Sequence, residues 1–155
     1  MTTTNAQKPL LQDDFVQFTI KDRIYFCRPI KGYSGYFAST SGHIISLVTA
    51  NRSRLRKLDW SNPQLLTGSN NGNGYLQVRL YTEQGHSKFH LVHRLVAMTH
   101  LEKPISPLGM ELLQVNHVNK DRQDNATRNL CWTTAQENAD WNKVMKAIEM
   151  EANNV

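Results

Sequence analysis

Residues 114–138 read QVNHVNKDRQDNATRNLCWTTAQEN. The segment ELLQVNH, residues 111–117, is a strand candidate that ends in Asn116-His117. A polar loop, VNKDRQDNATR, follows it. NLCWT, residues 129–133, makes a second short strand. Thr134-Ala135-Gln136-Glu137 matches a capping box, in which the hydroxyl accepts a backbone N–H and the carboxylate reaches back. A helix is therefore expected from about Ala135 to about Glu149. The second strand returns beside the first, and the helix crosses back over the pair. That path can bring Asn116, His117 and Asn138 together.

Those three side chains suit one chemistry. The unperturbed pKa of an imidazole lies near neutrality, so His117 can take a proton from water. Asn116 and Asn138 offer neutral carbonyl oxygens. A hard divalent cation such as Mg²⁺ takes oxygen ligands and completes its shell with water and phosphate. Two amides bring no charge, so a substrate phosphate would have to supply it. Asn129 can hold the loop through side-chain to backbone hydrogen bonds. Each residue also has a plain structural use, since a His beside a strand packs and an Asn-rich loop turns.

Upstream, FVQFTIKDRIYF (15–26) mixes β-branched and aromatic residues and reads as strand. In RPIKGYSGYFASTSGHIIS (28–46), Gly32, Gly35 and Gly42 punctuate short apolar pieces, the pattern of a small antiparallel sheet. Arg52, Arg54 and Arg56 stand two apart and face one side if extended. GSNNGNG (68–74) is a turn cluster. YLQVRLY (75–81) alternates, with Leu76, Val78 and Leu80 on one face, and SKFHL can pair back on it as a hairpin. From Val92 the period changes to that of a helix, VHRLVAMTH, which Lys103-Pro104 should end.

The chain has 155 residues, enough for one domain with a small appended module. Hydrophobic residues make up 39% and charged residues 20%, which argues against disorder. No apolar run approaches the roughly 18–20 residues of a membrane helix. The start, MTTTNAQKPL, lacks the apolar segment of a secretory signal and reads as a disordered lead over 1–14. Cys27 and Cys131 form no CxxC pair, so no structural zinc is expected, and two reduced cysteines suit a cytoplasmic protein. The net charge is +5, but residues 1–100 hold 12 basic and 5 acidic side chains against 6 and 8 in the remainder. A positive field concentrated in the first two-thirds suits a polyanion such as nucleic acid.

Residues 90–138 resemble the HNH nucleases of the ββα-metal fold, specifically the small homing endonucleases of phages and introns. VHRLVA (92–97), VNH (115–117), NLCW (129–132) and EN (137–138) carry the resemblance, in order. IKGYSGYFASTSGHIIS (30–46) resembles the DNA-binding module that precedes the nuclease in many of them. The resemblance implies an α+β protein with an N-terminal antiparallel β module (15–89) and a nuclease with a C-terminal helix (90–155). It implies that His117 is the general base, that Asn116 and Asn138 are metal ligands, and that Asn129 is the central Asn bracing the loop. The metal would be divalent, Mg²⁺ or alternatively Mn²⁺. The activity implied is hydrolysis of a phosphodiester in double-stranded DNA, as a site-specific nick or cut, by a cytoplasmic monomer that is neither secreted nor membrane-bound. Candidate DNA contacts are Arg52, Arg54, Arg56, Lys57, Arg79 and Arg94.

The sequence departs from the family's pattern in three places. Asn116 stands where relatives often carry Asp or His. SPLGMELL, before the motif, is longer than usual. The helix-turn-helix that follows the nuclease in some relatives has no counterpart before Val155. Two other readings stay open: a DNA-binding protein that kept this fold with little or no cleavage, and a nuclease with little sequence preference.

Overall fold

The computed structural model describes residues 15–49, 57–102 and 112–153. Arg52, Arg54 and Arg56, the Lys103-Pro104 stop and the 1–14 lead lie outside them. Strands β1 (Val16–Ile20) and β2 (Arg23–Pro29) form a hairpin, so the 15–26 segment is two strands rather than one. Lys21 and Asp22 turn the chain with φ of 48° and 61°. Positive φ at both central residues gives the turn a twist that matches the flanking strands. β3 (Tyr36–Ser39), β4 (Ile44–Ser46) and β7 (Gln64–Leu65) complete a five-stranded antiparallel sheet in the order β1-β2-β3-β4-β7. β5 (Val48–Thr49) and β6 (Lys57–Leu58) make a short separate pair.

Strand alternation divides the core. Tyr36, Ala38 and Ile44 point to one side of the five-stranded sheet, and Phe37 and Ile45 to the other. The second side is closed by Val16, Phe18, Tyr25, Cys27 and Leu47, with Trp60 stacked on Phe18. Burial pushes the Cys27 thiol up to about 12, so it packs as an apolar group.

β8 (Ser69–Asn70), β9 (Leu76–Tyr81) and β10 (Ser87–Leu91) form a three-stranded sheet in the order β10-β9-β8. Val78 and Leu80 face inward, as the alternation of YLQVRLY requires. Helix α1 (Val92–His100) follows directly, with its end at His100 capped by an extended Leu101. Val92, Leu95, Val96 and Ala97 pack against Ile30, Ala38 and Ile44 of the first sheet and Val78 and Leu80 of the second. Val115 and Leu130 of the last two strands join the same cluster. One apolar core thus runs from residue 30 to residue 130 around α1, and fully burying a side chain such as Leu80 is worth roughly 1.5–3 kcal/mol.

The decisive segment folds as β11 (Gln114–His117), a loop, a single 3₁₀ turn over Thr127–Asn129, β12 (Leu130–Thr133) and helix α2 (Ala135–Ala152). β11 and β12 pair antiparallel with His117 opposite Leu130 and Asn116 opposite Cys131. The strand expected to open with Asn129 opens one residue later, because the 3₁₀ turn closes on it. The Thr134–Glu137 capping box is present. No residue of α2 is fully buried, so the helix is anchored at its first turn and then runs along the surface. Among the described residues no helix is long and apolar enough to cross a membrane.

Candidate active site

The loop between β11 and β12 is held by its own polar side chains. The backbone N–H of Asn119 donates to Oδ1 of Asn129 at 2.9 Å, and Nδ2 of Asn129 donates to the carbonyl of Asp124 at 2.8 Å. Asn129 is buried at 5% exposure and does not line the cavity described below. Its amide bridges the two ends of the loop. Oδ1 of Asn119 and Oδ1 of Asp121 each accept the backbone N–H two residues on, at 2.8 Å. These are Asx turns, and they let an exposed loop keep one shape.

His117 closes β11 and is only 4% exposed. Its Nε2 lies 2.9 Å from Oδ1 of Asn125. Its ring meets two others. His93 of α1 stands edge-on with ring centroids 5.1 Å apart, and Tyr75, ahead of β9, lies 5.9 Å from His117 and 4.9 Å from His93. Three elements distant in sequence therefore fix the plane of one imidazole. His93 is 5% exposed and its Nδ1 has no partner among the described residues. Burial first, then the neighbouring His117 and Arg94, push its pKa down to about 4, so it is neutral at pH 7.

Read from the sequence as a pair, His93 and Arg94 fall on the polar face of a helix, with Arg94 as the candidate phosphate contact; the structure buries His93. The signal was available, because His93, Val96 and Ala97 share one face at i, i+3 and i+4.

Asn116, His117 and Asn138 do converge. They line one cavity of about 170 Å³, with Tyr75, Lys120 and Arg122 around them. At roughly 30 Å³ per water, that volume has room for an ion and several waters. Asn138 arrives on the first turn of α2. Thr134 Oγ1 accepts the backbone N–H of Glu137 at 3.2 Å, and the Glu137 carboxylate accepts that of Thr134 at 2.7 Å. The backbone N–H and the hydroxyl of Thr134, both donating to that carboxylate, hold the Glu137 carboxyl below the usual carboxylate range. Nδ2 of Asn138 donates to Oε1 of Gln114 at 2.8 Å, and that bond aims the amide. Its Oδ1 is buried and has no partner among the described residues.

An orphaned carbonyl oxygen on a residue that lines the cavity is a hard, neutral donor, and it fits a hard divalent cation. Asn116 stands at the facing end of β11. Its amide hydrogen-bonds the Cys131 thiol, which burial raises and this bond lowers. Among the described residues no three His, Cys, Asp or Glu side chains cluster as a metal site. The Asn116 and Asn138 carbonyl oxygens are the side-chain donors at the cavity that would hold the ion.

The candidate DNA contacts divide. Lys57 is exposed on β6, and Arg79 is exposed with its guanidinium 4.4 Å over the ring of Phe89. Arg94 is turned inward. Its Nη1 donates to the carbonyl of Leu113 at 2.9 Å, and its guanidinium lies 5.8 Å over Trp132, so it ties α1 to the start of β11. Two basic residues at the cavity were missed. Arg122 lies 4.7 Å over Tyr75 and donates to the carbonyl of Asn73 at 2.6 Å. Lys120, with φ 63°, pairs with Glu149 of α2 at 2.6 Å. Their nearness to His117 in sequence was the signal.

A β-hairpin carrying Asn-His, a braced loop and a helix that returns an Asn to the same cavity define a class. Residues 90–140 match the family described as HNH endonuclease. The chain is similar to the uncharacterized HNH endonuclease L247 of Acanthamoeba polyphaga mimivirus, with 32% identity over 138 residues, covering 89% of this chain and 27% of that one. It is also similar to the uncharacterized HNH endonuclease L245 of the same virus, at 29% over 110 residues, 71% of this chain and 28% of the other. It thus spans about a quarter of the length of these curated relatives. Among solved structures, one titled "DNA binding and cleavage by the HNH homing endonuclease I-HmuI" matches with a TM-score of 0.58 and 27% identity, over 78% of this chain and 59% of that one. The mixed architecture, with its strand-rich N-terminal part, is thus similar to an HNH homing endonuclease fold.

Proposed function

We propose that this chain is a divalent-metal-dependent endonuclease that hydrolyses a phosphodiester of double-stranded DNA, as a site-specific nick made by a monomer. The convergence of the His117 imidazole with the Asn116 and Asn138 carboxamides in one cavity carries this reading. In the reaction, His117 takes the proton of a water molecule as its oxygen bonds to phosphorus. The P–O3′ bond breaks, and the 3′ oxygen takes a proton from solvent. Asn116 and Asn138 would hold the ion, Mg²⁺ foremost, which supplies positive charge to the scissile phosphate and the departing oxygen. Lys120 and Arg122 at the cavity, and Arg79 and Lys57 farther out, suit phosphate contacts. The DNA-binding role falls to residues 15–89 and the chemistry to 90–155.

The test is nicking of supercoiled plasmid with Mg²⁺ or Mn²⁺ by wild type and His117→Ala. Loss of the general base should cost on the order of 100-fold or more, with DNA binding retained. Equal rates for the two proteins would defeat the assignment. One observation favours a second reading, a DNA-binding protein with little cleavage: among the described residues no carboxylate lines the cavity. Binding without cleavage, unchanged in Asn116→Asp, would establish it.

A further inference from the structure

We propose that Asn125 is a positioning residue that fixes which nitrogen of His117 acts as the base, and that a turn of the N-terminal sheet holds Asn125 in place. This rests on the reading of His117 as a general base.

An amide oxygen can only accept a hydrogen bond. With Oδ1 of Asn125 2.9 Å from Nε2 of His117, that nitrogen carries the ring hydrogen. Nδ1 then holds the lone pair and takes the proton from water. The opposite arrangement, Nδ2 of Asn125 donating to a bare Nε2, would lock the lone pair against the loop and leave none for the reaction. Both residues are buried, at 3% and 4% exposure, so solvent does not compete for the bond.

Asn125 is itself clamped from a distant part of the chain. Thr40, at the end of β3, accepts the backbone N–H of Thr127 at 2.9 Å and its hydroxyl at 3.2 Å. Gly42 has φ 86°, and a Cβ there would stand 2.4 Å from the carbonyl carbon of Asn125 and 2.7 Å from the nitrogen of Ala126. Neither contact is with a movable side chain. The 40–42 turn thus lies directly on the backbone that aims Asn125. The N-terminal sheet thereby does more than approach DNA, since it completes the support of the base.

The experiment uses the full chain in two assays. In proton–nitrogen NMR of metal-free protein near pH 8, wild type should show a slowly exchanging Nε2–H of His117, which Asn125→Leu should lose. In plasmid nicking, Asn125→Leu should lower kcat on the order of 100-fold with KM little changed. Asn125→Asp, which keeps the acceptor, should restore most of both signals. Gly42→Ala, whose new Cβ would press on the Asn125–Ala126 backbone, should lower kcat and weaken the same Nε2–H signal. A wild-type ring protonated on Nδ1, or an Asn125→Leu variant with full kcat, would overturn the proposal. If wild type shows the Nε2–H yet cuts nothing, the nuclease reading fails and the positioning bond stands. If wild type cuts but shows no such proton, only this inference fails.

Discussion

His93 gives a stability prediction with a defined sign. In the unfolded chain its pKa is 6.5, and in the fold burial, His117 and Arg94 bring it to about 4. At about 1.4 kcal/mol per pH unit, that gap is worth about 3 kcal/mol. Above pH 6.5 the ring is neutral in both states, and this stability is fully present. Between 6.5 and 4 the unfolded chain binds a proton that the fold refuses, so stability falls with pH. Below 4 the contribution is gone. His43, His90 and His100 are also lowered, burial being the first cause in each, and they steepen the same slope. Comparison with His93→Gln, which cannot titrate, isolates the one group. Urea unfolding followed by tryptophan fluorescence would be measured at pH 7.5, 6 and 4.5. At pH 7.5 the variant should be the less stable protein, for lack of the ring contacts with Tyr75 and His117. By pH 4.5 the difference should have moved in the variant's favour by about 2.5 kcal/mol. A stability difference that is constant across the three pH values would refute the claim that His93 is held neutral by burial.

Three further variants have defined outcomes. Asn116→Asp adds a charged ligand to a set of neutral carbonyls, so the Mg²⁺ concentration for half-maximal nicking should fall by about 10-fold, and Asn138→Ala should raise it by at least as much. Thr134→Ala removes the capping box at the end of α2 that joins β12. It should cost about 1 kcal/mol in urea unfolding and also slow nicking, because the same turn presents Asn138; a slowed rate with no loss of stability would place Thr134 in the chemistry instead.

Local chemistry made much of this protein legible. The capping box, the β9–β10 hairpin and helix α1 follow from rules that operate over a few residues, and their positions agree with those rules. The Lys21-Asp22 turn lies inside a segment that reads as one strand because no Gly or Pro marks the break, although both residues adopt positive φ. Arg94 looked like a free cation until the carbonyl of Leu113, 19 residues on, took its hydrogen bond.

By itself the sequence determined the hairpin, the loop and the helix that bring Asn116, His117 and Asn138 round to one place, because periodicity, capping and Asn turns are encoded within reach of neighbouring residues. Tertiary structure alone decided what surrounds the imidazole. Tyr75, His93, Asn125 and the Gly42 turn come from four separate segments. Their meeting depends on how α1 packs three sheets into one core, and contacts between segments so far apart along the chain leave no periodic trace in it.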